Sequence, residues 1–320
     1  MSRLLNFLRR AALVATGKMG RPRASAILDP HNFQPELPIP AGYTKDGILD
    51  ALCSVTIDRS AMGELRGYAI GDFERFLHTL HLVPEASGEL LEIGGNPYFT
   101  TLLLRRFRPE YKLNITNFFG SPPGEFGQRV RFDGFDGIID ECEFRYQSLN
   151  IEFWPFPYAD GQMDVVVFCE VLEHMTNDPM HALREISRVL KPGGLLILTT
   201  PNAARIENMV AFIEGRNMYD QYSGYGPYGR HNREYTRDEL HRLLQYCGFD
   251  VEISFTANVH PDVPASVVGT DALEAVVRSV HNREYDLGQY LFTRWRKARD
   301  CAVGRPRWLY RSYPEQELTD

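Results

Sequence analysis

The sequence predicts a doubly wound α/β domain built on a mostly parallel sheet, preceded by an N-terminal helical and irregular extension. Three observations carry that expectation. Short runs of continuous apolar character recur between residues 89 and 200, and amphipathic helical patterns fill the intervals between them. Runs without alternation suit strands covered on both faces, and parallel strands require crossover connections, which are right-handed. Gly193-Gly194, after Leu190-Lys191-Pro192, supplies a helix stop and a turn into the next apolar run.

Taken in order, residues 24–65 break every period with proline and glycine and read as an irregular arm. Ile70, Phe73, Phe76, Leu77 and Leu80 then recur at helical spacing and stop before Pro84. Strands are expected at 89–93 (ELLEI), 111–117 (YKLNITN), 142–147, 163–168 (MDVVVF) and 194–200 (GLLILTT), with helices at 97–107, 178–190 and 203–214. Thr236-Arg237-Asp238-Glu239 spells a capping box, Leu240, Leu243 and Leu244 give the following helix its buried stripe, and Gly248 ends it. The chain divides into 1–65, a basic N-terminal helix and arm; 66–297, the α/β domain with a loop insertion at 216–235; and 298–320, a basic tail.

A chain of 320 residues with 43% hydrophobic residues has ample material for a buried core. Cys53, Cys142, Cys169, Cys247 and Cys301 lie far apart, odd in number and without a CxxC pair, which argues against a disulfide framework and a zinc cage and points to a reducing cytoplasm. Net charge is -7 but uneven: residues 1–23 hold six Lys and Arg and no acid, and residues 294–320 hold seven against four acids. Residues 3–18 set Leu4, Leu8, Ala11 and Ala15 on one helical stripe beside Arg9 and Arg10, the pattern of an interfacial helix, with a solvated terminus as the alternative. Basic ends fit peripheral contact with an anionic inner-membrane surface. The apolar run is too short to span a bilayer and reads as no signal peptide. An acidic middle without a basic groove, and no NPPY-type tetrapeptide after the fourth strand, exclude a nucleic-acid substrate.

The five-mer HNREY occurs twice, at 231–235 and 281–285, with unrelated flanks. The first copy closes a Gly-rich loop before the capped helix and the second precedes a strand-like run, so this is no structural repeat. The first is expected beside a site; the second is expected to be structural.

Open parallel sheets bind ligands beyond the carboxyl ends of their strands. The first strand ends in Leu91-Glu92-Ile93-Gly94-Gly95-Asn96-Pro97, where the glycines allow a tight turn, Asn96 suits an N-cap and Pro97 a first helical position. The dinucleotide fingerprint G-x-G-x-x-G fails, because Gly94, Asn96 and Phe99 occupy its positions. A ligand with a carboxylate and no pyrophosphate is less demanding, and Glu92 suits an ammonium group. Over residues 86–256 the chain resembles the class I S-adenosylmethionine-dependent methyltransferases of the small-molecule, type 11 group. LLEIGGNPYFTTLLL is similar to that family's first motif, NIEFWPFPYADGQMDVVVFCEVLEHM to its third and fourth, and LREISRVLKPGGLLILTTPN to the helix and fifth strand that follow. The resemblance implies S-adenosylmethionine as cofactor and a seven-stranded sheet of order 3-2-1-4-5-7-6 with the seventh strand antiparallel, strand six at 249–256 and strand seven at 287–295. It further implies that Glu92, Gly94 and Gly95 line the methionine end, with Asn96 where the motif has glycine. Asn117 stands where an acid usually takes the ribose, and Asn150 or Glu152 at the adenine side, with Phe153 and Trp154 near for stacking.

Methyl transfer from a sulfonium needs an aligned acceptor and a group to take its proton. Glu170, Glu173 and His174 follow the fourth strand at i, i+3 and i+4, on one face of a helical turn, with Glu170 also at the cofactor. His174 is the first choice of general base, because its free pKa is near neutrality. The ExxEH spacing resembles that of metal-dependent ubiquinone-biosynthesis O-methyltransferases, which implies Glu170, Glu173 and His174 as ligands of a divalent cation such as Mg2+; bracing of the turn is the alternative. Loop 216–235 combines glycines, tyrosines and arginines, as a lid requires, and offers Arg230, His231, Arg233 and Tyr235 to a substrate. The pieces ILTTPN and YGRHNREYT resemble methyltransferases found with bacterial surface-polysaccharide enzymes. The expected function is O-methylation of a sugar hydroxyl in a glycan or glycolipid precursor, with a quinone or phenol acceptor, or a non-catalytic methyltransferase-like scaffold, as alternatives.

Overall fold

The computed structural model describes residues 36–58, 62–260, 270–281 and 286–320. The amphipathic stretch at 3–18 and residues 282–285 of the second HNREY lie outside them. Nine strands form one sheet: β1 Thr56–Ile57, β2 Gly88–Ile93, β3 Tyr111–Asn117, β4 Gly124–Phe132, β5 Asp140–Ser148, β6 Met163–Cys169, β7 Leu190–Pro201, β8 Phe249–Ala257 and β9 Tyr290–Lys297. Their order is β1-β4-β5-β3-β2-β6-β7-β9-β8.

The seven strands from β5 to the β8 edge have the implied order, with β9 antiparallel to β7 and β8. The count of seven is corrected to nine. β4 pairs antiparallel with β5 from Gly124–Ser148 to Phe132–Asp140, and β1 adds to its far side. Periodicity hid β4 because only Val130 and Phe132 are buried on it, and Gly127 stands where a Cβ would lie 2.2 Å from the Glu143 carboxylate.

Eight helices are described: α1 Lys45–Cys53, α2 Met62–Gly71, α3 Phe73–Leu82, α4 Phe99–Phe107, α5 Met180–Val189, α6 Ile206–Ile213, α7 Arg237–Tyr246 and α8 Thr270–His281. The arm expected at 24–65 therefore contains α1 and β1. Thr44 caps α1 by accepting from the Gly47 amide at 3.1 Å, and Ile48, Ala51 and Leu52 bury its inner stripe. At α7 the capping box between Thr236 and Glu239 forms in both directions.

Adjacent residues along each strand serve opposite cores. Leu90, Val165 and Ile197 face α3 and α4, meeting Leu77, Leu80 and Leu103; Leu91, Val166 and Leu196 face α5 and α7, meeting Leu183, Ile186 and Leu244. This two-sided burial explains the continuous apolar runs.

The last residues fold onto the domain instead of trailing from it. β10 Arg305–Pro306 pairs parallel with β11 Leu318–Thr319, and Trp308, Leu309 and Tyr310 pack on the second core. Arg305 pairs with Asp178 at 3.0 Å and Glu317 at 2.6 Å, and Arg307 with Glu315 and Asp320. The expected basic tail is thus a folded segment with much of its charge paired internally. No described helix is long and apolar enough to cross a membrane.

Candidate active site

The first strand's turn behaves as glycine chemistry requires. Gly94 has φ +78°, and a Cβ there would stand 2.7 Å from Val171 Cγ2; one on Gly95 would stand 2.7 Å from Ile115 Cγ2. Beyond this turn, at the carboxyl ends of β2, β3 and β6, lie two adjoining cavities of about 220 Å³ and about 70 Å³ that share Ile93, Gly94, Asn96 and Glu170 as walls. A wide, mostly apolar compartment leading into a narrow charged one fits an adenosine carrying an amino-acid tail.

The narrow compartment is lined by Glu92, Arg75, Tyr68 and Glu170. Glu92 is buried and accepts from the Thr101 hydroxyl at 2.5 Å; burial pushes its carboxyl up to about 7. Arg75, also buried, donates to Asp72 at 2.8 Å and to the Tyr68 hydroxyl at 2.5 Å, and lies 4.9 Å from the Phe76 ring centroid. Sequence reading missed Arg75, because a charged residue between Phe73 and Phe76 reads as the solvated side of a helix.

The wide compartment is lined by Asn117, Phe118, Asn150, Glu152, Met175 and Tyr228 among others. Asn96 does not cap α4. Its backbone amide donates to Asn117 Oδ1 at 2.9 Å and its side chain reaches Gln128 of β4, so the buried Tyr98, at φ 71°, takes the cap position. Asn117 also donates to the Tyr98 hydroxyl at 3.2 Å, which leaves one amide hydrogen for a ligand. Asn150 donates to the Tyr228 hydroxyl at 3.2 Å. The Glu152 carboxylate is corrected from adenine partner to turn brace, since it accepts from the Thr176 amide and hydroxyl and from the Asn177 amide at 2.7–2.8 Å. Neither Phe153 nor Trp154 lines the cleft; Phe118 does, with Trp154 edge-on at 5.7 Å.

The trio after β6 separates. Glu170, at φ 55°, turns toward the cleft and accepts from the Thr199 hydroxyl at 2.7 Å; burial raises its pKa against the lowering pull of Arg75. Glu173 is fully buried, with Oε2 accepting from Thr200 at 3.0 Å and Oε1 lacking a partner. His174 lines the cleft with its Nδ1 3.0 Å from the Arg230 carbonyl, so Nδ1 carries the proton and Nε2, 3.9 Å from Glu173 Oε1, offers its lone pair. Burial, then His231, lower the His174 pKa. The expected metal set is corrected: Glu173, His174 and His231 bring ligand atoms within 4.8 Å of one another, while Glu170 is occupied beside Thr199.

Loop 216–235 supplies that third residue. His231 Nδ1 bonds Glu234 at 3.0 Å, and although burial works to lower its pKa, Glu234 with Glu173 and Asp220 raises it overall. Arg230 lies 4.7 Å from the centroid of the exposed Tyr222 ring. The other two expected substrate contacts are corrected. Arg233 pairs with Glu239 at 2.8 Å on α7, and Tyr235 is 2% exposed within the second core, because its backbone bridges to Asn202 at the end of β7.

Residues 65–253, more than half of the chain, match a family described as a methyltransferase domain. A probable S-adenosylmethionine-dependent methyltransferase of Mycolicibacterium smegmatis is 36% identical over 126 residues, 38% of this chain and 44% of that protein. The mitochondrial ubiquinone biosynthesis O-methyltransferase of Rattus norvegicus is 31% identical over 120 residues, 37% of this chain and 33% of that protein. The chain thus spans less than half the length of these relatives. Among solved structures, a Haloferax volcanii complex of the Trm112 methyltransferase activator and a putative methyltransferase gives a TM-score of 0.49 at 17% identity, covering 78% of this chain and 98% of that one. The chain belongs to the methyltransferase-domain family, in its class I S-adenosylmethionine-dependent branch.

Proposed function

We propose that the chain methylates a hydroxyl oxygen of a small acceptor, a sugar hydroxyl of a glycan or glycolipid precursor. S-adenosylmethionine, the family's cofactor, supplies a methyl group on an electrophilic sulfonium when bound. Arg75 would hold its carboxylate, Glu92 its ammonium, the Gly94-Gly95 turn its chain, and Asn117 and Asn150 its nucleoside end.

The observation that carries the reading is the pair of titratable groups on one cleft wall: Glu170 and His174 both line the wide compartment at the end of β6. The Glu170 carboxylate or His174 Nε2 would take the proton of an acceptor hydroxyl placed against that wall. Tyr219, Tyr222 and Tyr225, all more than 75% exposed on loop 216–235, offer amphipathic ring faces to an acceptor, and Arg230 offers a fork of donors. A phenol or quinol is the second reading, favoured by the match to the rat ubiquinone-pathway enzyme.

The test is transfer of label from methyl-labelled S-adenosylmethionine to two acceptor panels, glycosides and catechols. Labelled glycosides support the reading; turnover confined to catechols replaces it with the second one.

A further inference from the structure

We propose that Glu173, His174 and His231 form a site for one imidazole-preferring divalent cation, of the Zn2+, Co2+, Fe2+ or Ni2+ kind, that fastens loop 216–235 to the turn after β6. The methyltransferase reading enters only in that this loop borders the acceptor cleft.

The first observation is the orphaned oxygen. Glu173 is 0% exposed, yet its Oε1 has no hydrogen-bond partner while Oε2 is taken by Thr200. A buried carboxylate oxygen without a donor is costly, and a cation is one of the few groups that remove that cost. Independent of it is the orientation of the two imidazoles. His174 turns Nδ1 to the Arg230 carbonyl and His231 turns Nδ1 to the Glu234 carboxylate, both at 3.0 Å. Such outer partners fix the tautomer and leave each Nε2 as the coordinating atom, and they are what ligating histidines ordinarily have.

Two imidazoles and one carboxylate favour borderline metals over Mg2+, which prefers oxygen ligands. Ligands about 2.1 Å from one cation stand roughly 3.4 Å apart in tetrahedral geometry. The present spread, up to 4.8 Å, therefore closes on binding. The part that can close is the loop, already laid on the turn by the Asn232 amide donating to the Glu173 carbonyl at 2.7 Å and by Asn232 Nδ2 donating to the His174 carbonyl at 2.9 Å. With His174 engaged as a ligand, Glu170 is left as the proton acceptor on the cleft wall.

The chelator-stripped full chain is titrated with Co2+, followed by calorimetry and visible absorption, and separately with Mg2+. One Co2+ per chain is expected, with Mg2+ binding at least about tenfold weaker, and with His174→Gln and His231→Gln each weakening Co2+ about tenfold or more. Chymotryptic cleavage at Tyr219, Tyr222 and Tyr225 slows when Co2+ is added. Should an imidazole variant fail to fold by circular dichroism, Glu173→Gln, which keeps an acceptor for Thr200, makes the same test. Co2+ affinity unchanged in these variants, or no stoichiometric binding, overturns the cation site. S-adenosylhomocysteine binding on the same samples separates the two readings: its retention without Co2+ binding overturns this inference alone.

Discussion

The imidazole rings of His174 and His231 stand edge to face, their centroids 5.0 Å apart, although one follows β6 and the other closes a loop far along the chain. His174 gives its Nδ1 to the Arg230 carbonyl and His231 its Nδ1 to Glu234. The contact lays the first HNREY on the turn after β6 through His231 and Asn232, with Glu234 holding His231, while its Arg233 and Tyr235 serve pairing and packing elsewhere. Of the second copy only His281, at the end of α8, is described.

Removing the His174 ring affects chemistry before binding. His174→Ala is expected to lower kcat by roughly 10²–10⁴-fold, whether the ring takes a proton or orients the acceptor. S-adenosylhomocysteine affinity, measured by calorimetry, stays within about threefold.

Glu92 sets a pH dependence of stability. Its folded-state pKa, about 7, lies above its ordinary value of 4.5, so the fold binds this proton more tightly than the unfolded chain does. That contribution is complete below the ordinary value and is lost as pH rises through about 7. Glu92→Gln should therefore gain on the unaltered protein by roughly 2 kcal/mol between about pH 5 and about pH 8, as read from urea unfolding without ligand.

At the turn, Gly94→Ala combines a left-handed φ of +78° with a Cβ 2.7 Å from Val171. A cost of about 1–3 kcal/mol is expected in urea unfolding, with a parallel fall in S-adenosylhomocysteine affinity.

Arg75 holds a fork that lysine cannot reproduce, reaching Asp72 and Tyr68 from one guanidinium. Arg75→Lys should weaken S-adenosylhomocysteine binding about tenfold. Arg75→Met, which strands the buried Asp72, should cost about 3 kcal/mol or more in unfolding free energy.

The C-terminal segment contributes to the second core, and Arg242 lies 4.0 Å from the Trp308 ring centroid. Trp308→Ala is expected to cost about 2 kcal/mol in urea unfolding, below the value for a fully buried aromatic because Trp308 is only partly buried.

Sequence alone made the parallel strands β2, β3, β6 and β7 legible, because strands covered on both faces need unbroken apolar runs. It also determined the α7 cap, since Thr236 and Glu239 act within one turn, and the Gly94-Gly95 turn, since its demand is local. β4 escaped because a strand with most of its residues exposed has no apolar pattern to read. What tertiary structure alone decided is which polar groups meet: Arg75 beside Glu170 in one compartment, Glu152 spent on Thr176, Tyr235 drawn into the core, and His231 laid against Glu173 and His174. Hydrogen bonds, ion pairs and metal ligation act over a few ångströms, whereas these partners lie far apart along the chain, so their meeting exists only once the sheet and loop are packed.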